Sequence, residues 1–334
     1  MTHPRGRCPI WLQVMCAAIL LLLQGTANAA TTCTTSTTPL ALGAAGPAAS
    51  QGTATVTITC NSFGLSVLTA VRVRMCLSLD GGAAFPSQLN PRRMRNTFGD
   101  TLDYQLFRDE ARSLVWGNQA SNWRQVDLQY QADVLGGRGS TSVTIYGRIP
   151  AQPGAASGIY TAPYAAGNAT LLYNAAEGLL LFPPAWPAAC TGGASTGFPF
   201  NASATVASRC TLSSATDLDF GNVPGAVSSD RDQNSTVTFT CTGRTAWNVG
   251  LDNGLHASGP VRRMRRGTSA DYVRYELYRD APRNLRWGTT AGADTASGTG
   301  TGTAQSVTVY GRVPAGQVVP AGSYADTITV TVTY

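Results

Sequence analysis

The chain contains no lysine: all 24 of its basic residues are arginine, set against 18 acids. Charged residues make up only 13% of the 334, about half of the usual ~25%. Surface helices depend on a charged face, so this poverty argues against a helical protein. Disorder is excluded too, because it needs high charge and few β-branched residues. Histidine occurs twice, as His3 and His256, which removes most imidazole-based chemistry. Eight cysteines are too few and too scattered for metal-ligand spacing. The nucleophile-elbow, zinc-protease and P-loop motifs are all missing. Asp219-Phe220-Gly221 spells a kinase triplet without any other kinase element. The few acids form no recognisable carboxylate pair. No enzyme, cofactor or metal site is expected.

The first 29 residues read as a secretory signal. His3, Arg5 and Arg7 make a polar start, Ile10 to Leu23 an apolar run, and Ala27-Asn28-Ala29 a small-residue cleavage pattern. No later apolar run reaches the ~18 residues of a spanning helix. Removing the leader leaves six cysteines: Cys33, Cys60, Cys76, Cys190, Cys210 and Cys241. An even number in an exported chain implies a disulfide framework.

An internal repeat organises the rest. Thr53 to Cys60 returns as Ser235 to Cys241, and Arg92-Arg93-Met94-Arg95 as Arg262-Arg263-Met264-Arg265. Leu102 to Asp109 returns as Val273 to Asp280, Trp116-Gly117 as Trp287-Gly288, and Val143 to Pro150 as Val307 to Pro314. The order is kept throughout, so two homologous domains are expected, 30–192 and 193–334. Each block alternates with period two: Val56, Ile58 and Cys60 share a face, with threonines between. Turn residues such as Asp80-Gly81-Gly82 and Asn253-Gly254 separate the runs. The pattern predicts all-β architecture: two immunoglobulin-like antiparallel sandwiches in tandem, the second lacking its last strand. Cys210 and Cys241 are alone in the second repeat and should pair; the repeat then implies Cys33–Cys60 and leaves Cys76–Cys190.

The segment Gly178-Leu-Leu-Leu-Phe-Pro-Pro-Ala-Trp-Pro-Ala-Ala-Cys190 is uncharged and has no counterpart in the second repeat. Two readings stand side by side. Leu179 to Phe182 enter the core as a last strand, or the segment is an apolar loop that meets a surface. The first is preferred for the leucines, the second for Trp186. Surface-contact candidates are therefore Pro183, Pro184, Trp186 and Pro187, with Phe85 and Trp123 in two other loops. The arginine clusters read either as charged strand flanks or as an anionic-polymer site. No aromatics interleave with them, so nucleic acid is not expected as a partner.

The first domain runs about 30 residues past Gly158-Ile-Tyr160, to Cys190, and is expected to complete itself that way. The second stops soon after the matching Gly322-Ser-Tyr324. An unfilled sandwich there would expose a groove that accepts a strand, with Thr327, Ile328, Val330, Val332 and Tyr334 as docking residues. Only Ala30-Thr-Thr precedes Cys33, whereas Phe198 to Val206 precedes the equivalent Cys210. The expectation is a unit that receives a strand and gives none.

Three motifs carry a resemblance: Asp217-Leu-Asp-Phe-Gly-Asn222, Leu277-Tyr-Arg-Asp280 with Trp287-Gly288, and Val309-Tyr-Gly-Arg-Val-Pro314 with the Gly322 to Tyr334 end. These resemble the spore coat U domain, which builds subunits of archaic chaperone–usher pili in Gram-negative bacteria. The resemblance covers the second domain fully and the first more loosely. It implies a periplasmic pilus chaperone, an outer-membrane usher and the N-terminal donor strand of the next pilin subunit as partners, and export to the pilus tip. Two-domain members resemble the tip adhesin, whose target is an abiotic or host surface. A non-adhesive minor or adaptor pilin and a secreted lectin-like module are the alternatives.

Overall fold

The computed structural model describes residues 31–63 and 68–334, and the expected leader lies outside them. The described residues form strands, turns and loops, with no helix among them. β1 (Thr32–Thr37), β2 (Leu40–Ala45), β3 (Ser50–Ser62), β4 (Thr69–Leu79), β5 (Arg92–Arg95) and β6 (Thr101–Phe107) come first. β7 (Arg124–Ala132), β8 (Gly137–Ile149), β9 (Gly158–Tyr164), β10 (Ala169–Leu179), β11 (Ala194–Gly197) and β12 (Phe200–Val206) follow. They make two sheets, ordered β1-β3-β8-β6-β5-β9-β12-β2 and β11-β10-β4-β7. One core cluster lies between them.

β13 (Cys210–Ala215), β14 (Arg231–Cys241), β15 (Ala246–Leu251), β16 (Arg262–Arg266) and β17 (Tyr272–Tyr278) begin a second pair of sheets. β18 (Ala296–Thr299), β19 (Ala304–Val313), β20 (Tyr324–Ala325) and β21 (Val330–Thr333) complete it. The orders are β13-β14-β19-β17-β16-β20 and β18-β15-β21, around a separate core.

Alternation explains the strands. Val56, Ile58 and Cys60 are fully buried while the threonines between them face outward. Threonine suits that role because its branched Cβ fits a pleated surface. Trp116 and Trp287 fill equivalent core positions, and each indole N–H donates to a strand carbonyl, Leu77 at 3.0 Å and Val249 at 2.8 Å. Disulfides join Cys33 to Cys60, Cys76 to Cys190 and Cys210 to Cys241.

Three expectations need correcting. Residues 193–206, expected to open the second domain, lie in the first: β11 pairs with β10, and β12 lies between β9 and β2. Phe198, Phe200, Ala202, Ala204 and Val206 join the first core. The first sandwich is therefore completed by 194–206 and not by the run to Cys190. Its last strand also pairs in parallel with β2, a departure from a wholly antiparallel fold. The arginine clusters fit neither reading entirely. Arg92 and Arg262 are completely buried, with guanidinium groups donating to the strand-end carbonyls of Leu79 and Leu251 and to the loop carbonyls of Trp116 and Trp287. Arg92 reaches Gln105, where Arg262 reaches Glu276.

Candidate functional site

β12 shows what one edge of the first sandwich requires. It runs antiparallel to β9, with Phe200 opposite Tyr164, Ala202 opposite Ala162, Ala204 opposite Tyr160 and Val206 opposite Gly158. Every second residue enters the core, and the Phe200 ring stacks on Tyr164 with centroids 4.5 Å apart. On its other side β12 meets β2, whose Leu40 and Leu42 pack over Gly147. A Cβ at Gly147 would stand 2.4 Å from Leu42, so that close approach requires glycine.

The second sandwich repeats this frame. Leu218 and Phe220 pack over Gly311 as Leu40 and Leu42 do over Gly147. Ala325 pairs with Arg265 as Thr161 pairs with Arg95. The Leu255 amide donates to the Thr327 carbonyl at 3.0 Å, matching Ala83 to Pro163 at 2.9 Å. Gly322 to Ile328 thus corresponds to Gly158 to Tyr164, position by position. No described strand lies between this lip and the Leu218–Gly221 lip. In its place are two adjoining hollows of about 520 and 640 Å³, sharing Leu218, Phe220, Met264 and Tyr324. Tyr275, Leu277, Val309 and Leu251 form the floor of the first hollow, and Val273, Val313 and Val319 line the second. Leu218–Gly221 carries no ladder hydrogen bonds, because a strand there would need a partner on the groove side.

Among the expected docking residues, Thr327, Ile328 and Val330 line this groove. Val332 packs on the core beyond it, paired with Val249 through β21, and Tyr334 is exposed. The other lip was missed as a site. Leu218 and Phe220 sat in a motif read for family likeness, and only the repeat of Leu40-x-Leu42-Gly43 as Leu218-x-Phe220-Gly221 could have exposed their role.

Asp217, Asp219 and Ser235 also line the first hollow, but one polar group there stands out by its burial. Asp326 stands where the first sandwich has Ala162, and its side chain is 2% exposed. Its Oδ2 accepts from the Tyr275 hydroxyl at 2.7 Å, and its Oδ1 accepts from the His256 amide at 3.1 Å. His256 Nδ1 lies 3.1 Å from the same oxygen, so this histidine is partnered and not simply solvated. Burial, reinforced by the Asp326 carboxylate, pushes the Tyr275 phenol far above its ordinary range.

A second feature lies at one pole of the first sandwich. Thr69 at the start of β4 pairs with Ala132 at the end of β7 and Leu179 at the end of β10. Three loops therefore meet there, and each carries exposed apolar residues. Phe63 follows β3, Val134 and Leu135 form the β7–β8 turn, and Leu181 and Phe182 follow β10. Leu135, Leu181 and Phe182 are 87%, 82% and 75% exposed, values unusual for such side chains. The leucines thus do not enter the core. Pairing ends at Leu179, the Phe182 amide turns back to the Leu179 carbonyl, and Pro183 and Pro184 stop the strand.

Trp186 shows the reverse correction. It is half-buried, with the Arg72 guanidinium over its ring at 5.1 Å, and Arg72 also donates to the Pro184 carbonyl at 2.7 Å. Pro187 is half-buried and Pro183 exposed. Phe85 lies under Arg95 at 5.1 Å, and the Trp123 carbonyl accepts from Arg108 at 3.0 Å. Phe85 follows the far end of β4, and Trp123 adjoins Arg124, the partner of Leu77. Phe85 and Trp123 therefore do not join the apolar pole, about 25–35 Å of strand away, whereas Trp186, beside Arg72, lies about 10 Å along β4 from Thr69.

The spore coat protein U domain matches residues 19–163 and 196–331. The chain belongs to the spore coat protein U domain family. Protein U of Myxococcus xanthus is 34% identical over 181 residues, which is 50% of this chain and 97% of that protein. Among solved structures, the chain is similar to the CsuC–CsuE chaperone–tip adhesion subunit pre-assembly complex from archaic Csu pili of Acinetobacter baumannii. That likeness has a TM-score of 0.44 at 18% identity, covering 91% of this chain and 100% of that one. It is also similar to the CupB6 tip adhesin from Pseudomonas aeruginosa, with a TM-score of 0.35 at 12% identity over 91% and 96% of the two chains. This spore coat U chain carries the family domain twice, and its two copies differ at the groove.

Proposed function

We propose that the protein is a tip adhesin subunit of a pilus built by the chaperone–usher pathway. The second sandwich accepts a strand from another chain, and the first meets a surface. The observation that carries this reading is the pair of equivalent grooves, one closed by β12 within the chain and one open between Leu218 and Ile328. An open groove leaves apolar side chains and strand edges without partners, a liability that strand addition removes. Before assembly a periplasmic chaperone fills it; at the usher the donor strand of the next subunit replaces the chaperone. Export to the surface of a Gram-negative cell follows from that route.

The apolar pole makes the first sandwich the adhesive part. Phe63, Val134, Leu135, Leu181 and Phe182 offer non-directional contact suited to an apolar surface. Each tip contributes about 1.5–3 kcal/mol when fully buried. Many fibres on one cell multiply such contacts. Biofilm formation on such surfaces is the expected consequence. The test is co-expression of the full chain with a pilus chaperone in the periplasm. Co-purification is expected, with Leu218→Asp combined with Ile328→Asp abolishing it. A chain that purifies without a partner, indifferent to both substitutions, overturns the reading.

A further inference from the structure

The closed groove is a template for the strand that fits the open one, and the two differ in charge at a buried position, Asp326. In the first sandwich the inward residues of β12 read aromatic, small, small, branched: Phe200, Ala202, Ala204 and Val206. Transferred through the matched lips, these places face Ile328, Asp326, Tyr324 and Gly322. Ile328 replaces the Tyr164 ring that stacks on Phe200, which leaves room beside it for a large side chain. Tyr324 matches Tyr160, so a small residue is again required opposite it. Asp326 replaces Ala162, and no apolar residue of β12 could answer a carboxylate.

We propose that the strand closing the second groove carries a bulky apolar residue opposite Ile328, a Ser or Thr opposite Asp326 and a small residue opposite Tyr324. Asp326 thereby distinguishes it from the chain's own 198–206 strand. This inference rests on the strand-acceptor reading above. The carboxylate has the capacity for it: it accepts from the Tyr275 hydroxyl and the His256 amide, with His256 Nδ1 3.1 Å from Oδ1, which leaves at least one of the roughly four acceptor places a carboxylate offers. Directly paired side chains have Cβ atoms about 4.5–5.5 Å apart, so a hydroxyl on the incoming strand reaches the remaining lone pair. A bond to a buried ion is stronger than a neutral one, and an apolar residue there leaves that capacity unused.

The chain's own segment supplies the probes. Synthetic peptides with the sequence of residues 196–207 are made in three forms: unchanged, Ala202→Ser and Ala204→Leu. Each is titrated into the full chain purified with its chaperone, and exchange of chaperone for peptide is followed by native mass spectrometry. The Ala202→Ser peptide should bind at least about tenfold tighter than the unchanged one. The Ala204→Leu peptide should bind weakest, because Tyr324 leaves no room. In the Asp326→Ala chain the preference for serine should vanish while binding persists; Asp326→Asn provides a second chain that keeps the shape of the lip. Peptides that bind without regard to residue 202, or a preference that survives both Asp326 variants, overturn this inference and leave the groove reading intact. No binding by any peptide overturns both.

Discussion

The two sandwiches share a frame and use its two ends differently. At the groove, the first is closed by β12 and the second is open. At the pole, the relation is reversed in kind. The first presents Phe63, Leu135 and Phe182 to solvent. The corresponding β14–β15 and β18–β19 turns of the second instead meet the first sandwich, through Gly243, Arg244 and Gly302. The contrast shows how duplication separates tasks. The same loops that project apolar side chains in one copy become a small, polar joint in the other, and the same lips that β12 joins in one copy stand apart in the other.

The largest test of this contrast is at the groove. Phe200 is buried and stacked, so Phe200→Ala should destabilise the first sandwich by about 3–5 kcal/mol. Phe220, half-buried on the open lip, should cost roughly half of that or less on truncation. Denaturant unfolding of the full chain, read as two transitions, measures both. Equal losses would mean the open groove is as well packed as the closed one.

Next in size is the pair of buried arginines. Arg262 meets a carboxylate at Glu276, which Arg286 also approaches at 2.8 Å, while Arg92 meets the neutral Gln105. Glu276→Gln makes the second sandwich resemble the first, and should cost it about 1–3 kcal/mol, because a buried guanidinium loses its counter-charge. Gln105→Glu is the converse and should leave the first sandwich at least as stable. A neutral Glu276→Gln would show that the backbone carbonyls suffice.

A smaller effect on stability, with a large one on attachment, is expected at the pole. Leu181→Ser combined with Phe182→Ser should move unfolding by no more than about 0.5 kcal/mol, since both side chains are already solvated. Attachment of piliated cells to an apolar plastic should fall several-fold. Trp186→Ala should do the opposite, loosening the segment held by Arg72 while sparing attachment. Attachment that follows Trp186 and ignores Phe182 would restore the sequence-based choice of tip.

Much of this was legible in the sequence because repetition and alternation are local signals. The threonine-spaced runs marked the strands, and the repeat reduced the disulfide choices to the three bonds observed. Segment 198–206 was visible as a strand-like lead to Cys210, but its partner was not, because pairing with β9 and β2 is a long-range fact. The apolar pole was illegible for the same reason. Phe63, Leu135 and Phe182 are far apart in the chain, and only the register of β4 with β7 and β10 gathers them. Trp186 misled because a tryptophan among prolines looks exposed until Arg72, more than a hundred residues earlier, is seen over it.

The smallest effect concerns the joint itself. Arg244 makes a two-pronged bond to Asp100 and lies 5.0 Å over the Phe98 ring, beside Ser157, whose amide donates to the Gly243 carbonyl at 2.8 Å. The guanidinium is open to solvent, so it adds little to the stability of either sandwich. Its role is orientation. Hydrogen bonding from Arg244, then from Asn96, holds the Asp100 carboxyl below the usual carboxylate range. A depressed folded value means that the contribution is present above the ordinary carboxylate range and is lost as pH falls through the lowered one. At neutral pH the two sandwiches should therefore tumble as one body in 15N relaxation. Arg244→Ala, acid below the carboxylate range, or about 1 M salt should each let them reorient separately, with both unfolding transitions almost unmoved at neutral pH. If Arg244→Ala leaves the relaxation unchanged, the Ser157–Gly243 contact alone sets the angle. The apolar pole would then be aimed by backbone bonds that neither acid nor salt can loosen.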